Sequence, residues 1–505
     1  MDASISVQLT DRLDSVAAKI DEMSMRLDAL MQNNETHGEI QIEVVKLLQH
    51  MQQTQLELDG KVDELSNAVT TAADGSIRSD LSKIGLAVVH DSRQKTLDIA
   101  SLKQSANLTL REQTRGVFPI RTVFLIQSIP MWDALSDVYD AMVADDRFDP
   151  IIISIHVGTL GRNIYEGEDK VSSAFSEQGI PHLRFNMDDS YAALDILKAL
   201  RPAVIFRQQQ WDMGVQPAFR THELTFSRLC LVPYALNLAA SLGDPVVTDV
   251  SAFGFDQTYH RAAWRVFCET PITQNYFRSF AHSDPEKFVL SGYPKFDRLL
   301  SESETPSWPI SHPDRRNFRI IWAPHYSVGK GGGLGFGVFD RIWESMLSWA
   351  RQSPDIDFVM KPHPALFGAM LTPEAQTVIR KAWTDLPNCA FSEEQYGSLF
   401  AASDLMISDG LSFLAEYPLF NKPLIFFDSG NHVEFNDLGK LAEAASRRVT
   451  TFDQLKQAAI EYKDGKAWEF EQERKTLQDN ILPNRGKASA AILEAIAEGI
   501  KEGAR

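Results

Sequence analysis

The sequence predicts an α/β fold with two domains, each built on a parallel β-sheet, preceded by an all-α coiled-coil extension. Three features predict this arrangement. Apolar residues before about residue 115 follow a three-and-four spacing, a series of buried-strand runs with helix-length spacers comes next, and a second series follows a break rich in proline and serine. The chain has 505 residues, 44% of them apolar, which is enough material for more than one hydrophobic core.

Charge and cysteine content exclude several classes of protein. A formal net charge of −18 argues against a general nucleic-acid binder, because phosphate backbones require a basic surface. The three cysteines, Cys230, Cys268 and Cys389, follow no metal-site spacing, and their odd number indicates a reducing compartment. No apolar run reaches the roughly 18 residues of a membrane helix, and no signal-peptide pattern opens the chain. We therefore expect a cytoplasmic protein without metal or cofactor, with peripheral attachment to the inner face of the membrane left open.

The extension, residues 1–115, carries the apolar spacing of a coiled coil. Its first run consists of Leu9, Leu13, Val16, Ile20, Met23, Leu27 and Leu30. A second run spans residues 44–69 with a polar position at Gln55, and a weaker third run spans residues 77–88. This spacing predicts a coiled coil that oligomerises the chain or acts as a spacer. A helical hairpin folded near Asn33 is the alternative, and the number of strands in the coiled coil stays open.

A Rossmann-type domain is predicted over residues 116–300. The buried-strand runs cover residues 121–127, 150–155, 183–186, 203–206, 229–233 and 266–269. Helix-length spacers between such runs are typical of a parallel sheet with helices on its faces. We interpret residues 290–297 and the proline- and serine-rich residues 301–314 as an interdomain linker.

A second Rossmann-type domain is predicted over residues 301–505. Its strands are placed at residues 318–322, 358–361, 405–408 and 424–427, and helical sequence follows from about residue 452, including an amphipathic stretch at residues 488–500. Two such domains facing each other bring the carboxyl ends of both sets of strands to one crevice. This is the geometry of a two-domain transferase.

Polar residues follow the strands of the second domain. Residues 403–427 read as a strand, a polar elbow and a helix, so that Ser408 and Asp409 reach the start of a helix near Ser412, as in anion sites of parallel sheets. His363 lies between two prolines that restrict its backbone, and Lys361 projects to the same face. We expect both side chains to contact phosphate.

Four segments in this order resemble the CDP-glycerol glycerophosphotransferase family, GT-B-type enzymes that polymerise teichoic-acid-like backbones, with relatives in capsule synthesis. The segments are SGYPKFD (291–297), WAPHYS (322–327), KPHP (361–364) and SDGLSFLAEYPLFNKPLIFF (408–427). The resemblance covers the second domain strongly, the first weakly and the extension not at all. It implies a GT-B-like pair of domains, the first binding the acceptor and the second binding the nucleotide donor.

The resemblance also implies roles for individual residues. Catalysis is assigned to His363 and His325. Donor binding is assigned to Lys361, Ser408, Asp409, Ser412 and Glu416. Because Asp409 is anionic, we expect it to orient or cap the helix, whereas Glu416 is placed to accept hydrogen bonds from ribose hydroxyls. Leu411 stands where the family often has a further serine, which weakens that one contact. The glycine-rich residues 329–337 are either a phosphate cradle or a mobile lid.

The acceptor side of the family pattern is missing. The family usually carries a His-Gly motif with a nearby lysine in the first domain, and residues 231–237, LVPYALN, occupy roughly that place. The general base therefore stays open. Candidates that follow predicted strands are Asp133, Gln208, Asp212 and His222, each of which has a structural role as its alternative.

The leading prediction is a metal-independent transferase. It moves glycerol phosphate or a sugar from a nucleotide-diphosphate donor, with CDP-glycerol favoured, to a growing cell-surface polysaccharide or polyol-phosphate polymer. A UDP- or GDP-sugar hexosyltransferase on the same fold is the first alternative, and a non-catalytic coiled-coil scaffold is the second. The expected partners are the donor, the acceptor and further copies of the chain, but no nucleic acid.

Overall fold

The computed structural model describes residues 75–158, 164–187, 189–240, 252–327, 334–393 and 396–502. The coiled-coil runs predicted at residues 9–30 and 44–69 lie outside these residues. The third run, at residues 77–88, falls within a helix of 38 residues, Gly75–Glu112. The coiled coil therefore stays a prediction.

The secondary structure alternates strands with helices. The strands are β1 (Ile120–Ile126), β2 (Phe148–Ile155), β3 (Leu183–Phe185), β4 (Val204–Arg207), β5 (Arg228–Leu231), β6 (Arg265–Cys268), β7 (Phe288–Leu290), β8 (Phe318–Ala323), β9 (Ile356–Met360), β10 (Cys389–Phe391), β11 (Leu405–Ser408), β12 (Leu424–Phe427) and β13 (Arg447–Val449). A short antiparallel ladder also pairs Val157–Gly158 with Tyr165–Glu166. The helices are α1 (Gly75–Glu112), α2 (Ser136–Val143), α3 (Glu168–Glu177), α4 (Ser190–Ala199), α5 (Ala252–Phe255), α6 (Thr258–Ala262), α7 (Pro271–Arg278), α8 (Pro294–Glu302), α9 (Phe339–Gln352), α10 (Pro373–Thr384), α11 (Gly397–Ala402), α12 (Ser412–Glu416), α13 (Asp437–Ala444), α14 (Phe452–Lys463), α15 (Glu471–Ile481) and α16 (Ala488–Glu502).

The described residues form two compact units. The smaller unit contains the described residues up to Arg115 together with Met187–Ala203 and Pro217–Arg228, and the larger unit contains the remainder. Within the smaller unit, the carboxyl-terminal half of α1 is held by side-chain contacts. The amide of Asn107 donates to the hydroxyl of Thr225 over 2.9 Å, and Lys103 forms an ion pair with the buried Glu223 at 2.5 Å.

The larger unit contains two sheets of matching strand order. The first sheet runs β3-β2-β1-β4-β5-β6-β7 and the second runs β10-β9-β8-β11-β12-β13. The pairings of β1 with β2 and β4, and of β8 with β9 and β11, are parallel. In both sheets the order reverses beside the first strand, and ligands of doubly wound sheets bind beyond the carboxyl ends at such a point. The prediction of an α/β fold with parallel sheets is confirmed.

Buried aromatic and branched side chains explain why these segments form strands. In β1, Val123 to Ile126 are all inaccessible to solvent, as the continuous apolar run predicted. The second sheet is flanked by a cluster of indoles in which the rings of Trp322 and Trp383 lie 5.5 Å apart. Three of these strands were not predicted from the sequence, namely β7, β10 and β13, each of which has three residues and ends a sheet.

The interpretation of residues 290–297 as an interdomain linker is wrong. The segment closes β7 and then opens helix α8, whose first residue is Pro294. Proline is tolerated at the first helical position because the backbone N–H there has no intrahelical partner. Asp297, within α8, accepts hydrogen bonds from the N–H groups of Gly486 and Ala488 at 2.5 and 2.9 Å. It therefore anchors the start of α16.

Helix α16 carries the chain back onto the first sheet. Its apolar face, predicted from the amphipathic pattern, is buried at Ile492, Ile496 and Ile500. The helix packs against α2, and Glu494 forms an ion pair with Arg147 at 2.9 Å. Among the described residues, no helix combines the length and apolar character needed to cross a membrane.

Candidate active site

A cavity of about 920 Å³ lies beyond the carboxyl ends of strands from both sheets. From the first sheet it is lined by the segments that follow β1, β4, β5 and β6, and by α8. From the second sheet it is lined by the segments that follow β8, β9 and β11. Most of the residues assigned from the sequence are therefore brought to one place by the sheet topology.

His325 follows β8 and is held in one protonation form. The hydroxyl of Ser327 accepts hydrogen bonds from the N–H groups of Phe336 and Gly337, both at 3.0 Å, so its own proton is left for the Nδ1 of His325 at 2.7 Å. The proton of the neutral imidazole therefore sits on Nε2. Burial, assisted by the neighbouring His363, lowers the pKa of His325 to about 3. The side chain is a neutral hydrogen-bond donor across the physiological pH range.

His363 follows β9 and resembles His325 in its hydrogen bonding. Its backbone N–H donates to the carbonyl of Pro324 over 2.9 Å, and its Nδ1 accepts from the N–H of Ala365 over 3.1 Å. The proton is again placed on Nε2. The two imidazole rings lie 5.5 Å apart between centroids. The side chain of His363 is exposed to the cavity. The cavity walls nevertheless displace much of the surrounding water, and this loss of solvation lowers the pKa of His363.

Lys361 places a positive charge beside the two histidines. Its side chain is buried, with Nζ 5.3 Å from the ring centroid of Tyr396. Burial lowers the pKa of Lys361 to about 8, although the charges of Glu393, Asp133 and Glu416 work in the opposite direction. The lysine is thus protonated at neutral pH and loses its proton readily above it.

Glu416 binds protein groups instead of solvent. One of its oxygens accepts from Nζ of Lys295 at 3.0 Å and the other accepts from the hydroxyl of Tyr396 at 2.5 Å. Lys295 belongs to α8, beside the first sheet, whereas Glu416 is the last residue of α12, the helix that follows β11 of the second sheet. The ion pair therefore ties the two walls of the cavity together. The sequence placed Lys295 in the SGYPKFD segment but assigned it no role.

Asp133 is the acceptor-side candidate that reaches the cavity. It follows β1, lines the cavity and lies 3.9 Å from the guanidinium of Arg298. Burial raises its pKa, while the charges of Lys295 and Arg298 counteract that effect. The charges of Lys295, Arg298 and Lys361 act against the effect of burial and favour the ionised carboxylate.

Ser408 and Asp409 support the site from behind. The carboxylate of Asp409 accepts from the N–H groups of His325 and Val338, both at 2.6 Å, and burial raises its pKa to about 7. The hydroxyl of Ser408 donates to the carbonyl of Ala323 at 3.2 Å. Both residues hold backbone in place. Ser412 lines the cavity at the start of α12, which is only five residues long.

Three other acceptor-side candidates lie outside this constellation. Gln208 accepts from the N–H groups of Gln127 and Ser128 and so joins two strand ends. Asp212 forms an ion pair with the buried Arg207 at 2.7 Å. His222 belongs to the smaller unit, where its exposed ring lies beside Glu223.

The glycine-rich segment is described only in part, since residues 328–333 lie outside the described residues. Gly335 has a φ of 70°, in the left-handed region that glycine adopts without strain. A Cβ at Gly337 would lie 2.9 Å from the carbonyl oxygen of Ser327. The glycines thus allow this segment to fold tightly against the His325 loop. Whether residues 329–337 cradle phosphate or act as a lid is not tested by these contacts.

Glu269 is a cavity residue that the sequence reading did not single out. It directly follows β6, is 1% exposed and lines the cavity. The signal available in the sequence was an acidic residue closing an apolar run immediately before the Thr-Pro start of a helix. Among the described residues, no group of three or more histidine, cysteine or acidic side chains has an arrangement that would hold a metal ion.

Known proteins resemble this chain in fold and, over part of its length, in sequence. The solved structure of UDP-GlcNAc 2-epimerase from Neisseria meningitidis bound to UDP-GlcNAc matches with a TM-score of 0.51 and 15% identity, over 75% of this chain and 100% of that chain. The wall teichoic acid polymerase TagF matches with a TM-score of 0.50 and 18% identity, over 82% of this chain and 97% of that chain. At these identities the likeness is one of fold, an α/β architecture with parallel sheets and GT-B-like neighbours. A comparison with curated protein sequences finds no match.

The family comparison concerns the part of the chain that carries the four segments. Residues 254–497 match the model of CDP-glycerol:poly(glycerophosphate) glycerophosphotransferase. This match begins within the first sheet and includes the whole second sheet, so it contains His325, Lys361, His363 and Glu416. The resemblance inferred from the motifs is confirmed. Residues 254–497, a little under half of the chain, thus match the CDP-glycerol:poly(glycerophosphate) glycerophosphotransferase family, and the chain is a transferase.

Proposed function

We propose that the chain transfers glycerol phosphate from a CDP-glycerol-like donor to an acceptor that is a growing cell-surface polymer, either a polyol phosphate or a polysaccharide. The observation that carries this proposal is the meeting of two neutral imidazole donors and two lysines in one cavity, within the segment that matches the family. Hydrogen-bond donors and positive charges are what a transferred phosphoryl group requires.

The donor is held by the second sheet in this proposal. The Nε2–H groups of His325 and His363 donate to phosphoryl oxygens without carrying charge, and Lys361 supplies the positive charge. The acceptor oxygen bonds to the phosphorus that carries glycerol, and the P–O bond to the nucleoside monophosphate breaks. That monophosphate leaves with the electron pair. The contribution of the protein is positioning and charge stabilisation, without any covalent intermediate.

The proton of the acceptor hydroxyl passes to Asp133 in this proposal. The charges of Lys295, Lys361 and Glu416 all act on the pKa of Asp133. This carboxylate, which follows β1 of the first sheet, therefore lies near the second-sheet residues that bind the donor in this proposal. In this proposal, residues 116–300 bind the acceptor and residues 301–505 bind the donor. The predicted coiled coil sets the oligomeric state, and the enzyme works at the cytoplasmic face of the membrane.

A nucleotide panel tests the donor. Thermal unfolding of the purified chain is followed with CDP, UDP and GDP, and we expect CDP to raise the midpoint most. A larger shift with UDP or GDP would replace glycerol phosphate transfer by hexosyl transfer. No shift with any nucleotide would contradict the transferase function itself.

His363→Ala tests the site. Removing one preorganised donor typically lowers turnover by about a hundredfold or more, so we expect that loss at an unchanged unfolding midpoint. His222→Ala is the matched control because His222 is exposed and does not line the cavity. Full activity in His363→Ala would sink the proposal.

A further inference from the structure

A side pocket of the cavity has features that the donor chemistry does not use. We call it the Glu269 recess, and it is formed by Phe255, His260, Glu269, Thr273 and Phe277. The ring of Phe277 lies 5.1 Å from that of Phe255 and 5.0 Å from that of His260, and Thr273 hydrogen-bonds Glu269. All of them belong to the segments directly before and after β6.

Glu269 is an unusual residue to bury. Its Oε2 is inaccessible to solvent and has no hydrogen-bond partner among the described residues. No lysine or arginine of the described residues forms an ion pair with it, and a hydrogen bond from Thr273 is the side-chain contact that favours its charged form. Burial raises the pKa of Glu269 to about 8. An unpaired carboxyl of this kind is costly to the fold, which points to a role in binding.

The recess offers complementary groups to a hydroxylated molecule. Nδ1 of His260 accepts from the N–H of Gln257 at 3.1 Å, so the imidazole proton is on Nε2 and available as a donor. The Glu269 carboxyl, largely protonated at neutral pH, supplies a donor and an acceptor, and the rings of Phe255 and Phe277 supply apolar surface. Rings together with a few polar groups are what bind the carbon skeleton and hydroxyls of a polyol or sugar.

The recess offers no positive charge to a phosphate. Burial raises the pKa of Glu269 to about 8, so its carboxyl is largely neutral at pH 7, and His260 stays neutral because burial lowers its pKa to about 3. The cationic side chains Lys295, Arg298 and Lys361 line other parts of the cavity. A phosphate of the acceptor is therefore favoured near those cations, while an uncharged unit is favoured in the recess.

We propose that the Glu269 recess binds an uncharged, hydroxyl-bearing unit of the acceptor, a glycerol or sugar unit, and that Glu269 hydrogen-bonds its hydroxyl groups. The proposal rests on the transferase function proposed above, because it describes the acceptor of that reaction. It makes Glu269 a determinant of acceptor specificity and leaves donor binding to the second sheet.

The test uses Glu269→Met, which removes the hydrogen bonds at similar volume, and Glu269→Gln, which keeps them. Binding of sn-glycerol 3-phosphate and methyl β-glucoside to the full chain is measured by ligand-observed NMR at saturating CDP. We expect at least one probe to bind the wild type and to lose about tenfold or more in affinity in Glu269→Met, with most of the affinity retained in Glu269→Gln. Glu286→Met is the control, because Glu286 is exposed and lies outside the cavity.

The two proposals fail in different ways. If CDP does not bind the wild type, the transferase proposal falls first. If CDP binds all variants equally, two results overturn the recess proposal. One is that neither probe binds the wild type, and the other is that Glu269→Met binds the probes as well as the wild type does. Inorganic phosphate is a further probe, and a loss of its binding in Glu269→Met would show that the recess takes an anion, which also contradicts the proposal.

Discussion

Lys361 makes donor affinity depend on pH in a calculable way. The side chain is 6% exposed, and burial lowers its pKa to about 8 in the free protein. A bound pyrophosphate keeps the ammonium protonated, so the donor binds the protonated form. As pH rises through 8, a growing share of the protein must take up a proton before binding, and affinity falls.

The size of the effect follows from proton linkage. With one group of pKa about 8, the protonated fraction falls from about nine-tenths at pH 7 to about one-tenth at pH 9, so donor affinity should fall about tenfold. Isothermal titration with CDP-glycerol at pH 7, 8 and 9 measures it. This donor is preferred because its pyrophosphate is a diester without a phosphate ionisation near pH 6.

Variants separate Lys361 from a second group that titrates in this range. Lys361→Arg keeps a positive charge at every pH, so its affinity should be lower throughout but flat from pH 7 to 9. Glu269→Gln removes a cavity carboxyl whose pKa burial raises to about 8 and should retain the tenfold fall. A flat wild-type profile, or an equal fall in Lys361→Arg, would refute the reasoning.

The remaining predictions concern positioning and packing. Ser327→Ala removes the shorter of two hydrogen bonds to Nδ1 of His325, the other being the 3.3 Å bond from the backbone N–H of the same residue, and it leaves the N–H groups of Phe336 and Gly337 without their acceptor. Turnover should fall about tenfold and stability by about 2–4 kcal/mol in urea unfolding, whereas unchanged values would show that another group replaces the hydroxyl. Gly439→Ala places a Cβ 2.1 Å from the carbonyl oxygen of Leu238 and should lower the free energy of unfolding by about 1–3 kcal/mol in the same measurement. An unchanged free energy of unfolding would mean that α13 shifts to make room for the Cβ. Asp297→Ala removes the anchor of α16 and should increase amide exchange at residues 486–490, with protected exchange as the contrary result.

Most strands could be predicted because a buried parallel strand is a short continuous run of apolar residues in the sequence. β11 and β12 were predicted with the bounds that the structure shows, since each is a run of apolar residues between polar ones. Three residues carry little pattern, so the edge strands were predicted unevenly: β3 was found, whereas β7, β10 and β13 were missed. The start of α8 was misread because proline both breaks helices and begins them, and only the hydrogen bonding of its neighbours distinguishes the two cases.

The donor-side residues could be named from motifs, but their tasks could not. His325 and His363 stood out as histidines after strands, yet the proton on Nε2 depends on Ser327 in one case and on the N–H of Ala365 in the other. Glu416 was expected to meet ribose, whereas the structure shows it bonded to Lys295 and Tyr396. That contact joins residues 121 positions apart in sequence, which no local pattern reports.

By itself, the sequence determined the α/β class, the two series of strands and the resemblance to the family whose model residues 254–497 match. These depend on apolar periodicity and on short motifs, which are local properties of the chain. Only the tertiary structure decided which carboxyl groups share the cavity: it brought Asp133 and Glu269 in and left Asp212 and His222 out. The reason is that parallel sheets collect the ends of strands distant in sequence, and burial at that edge then sets the charge and proton position of each side chain.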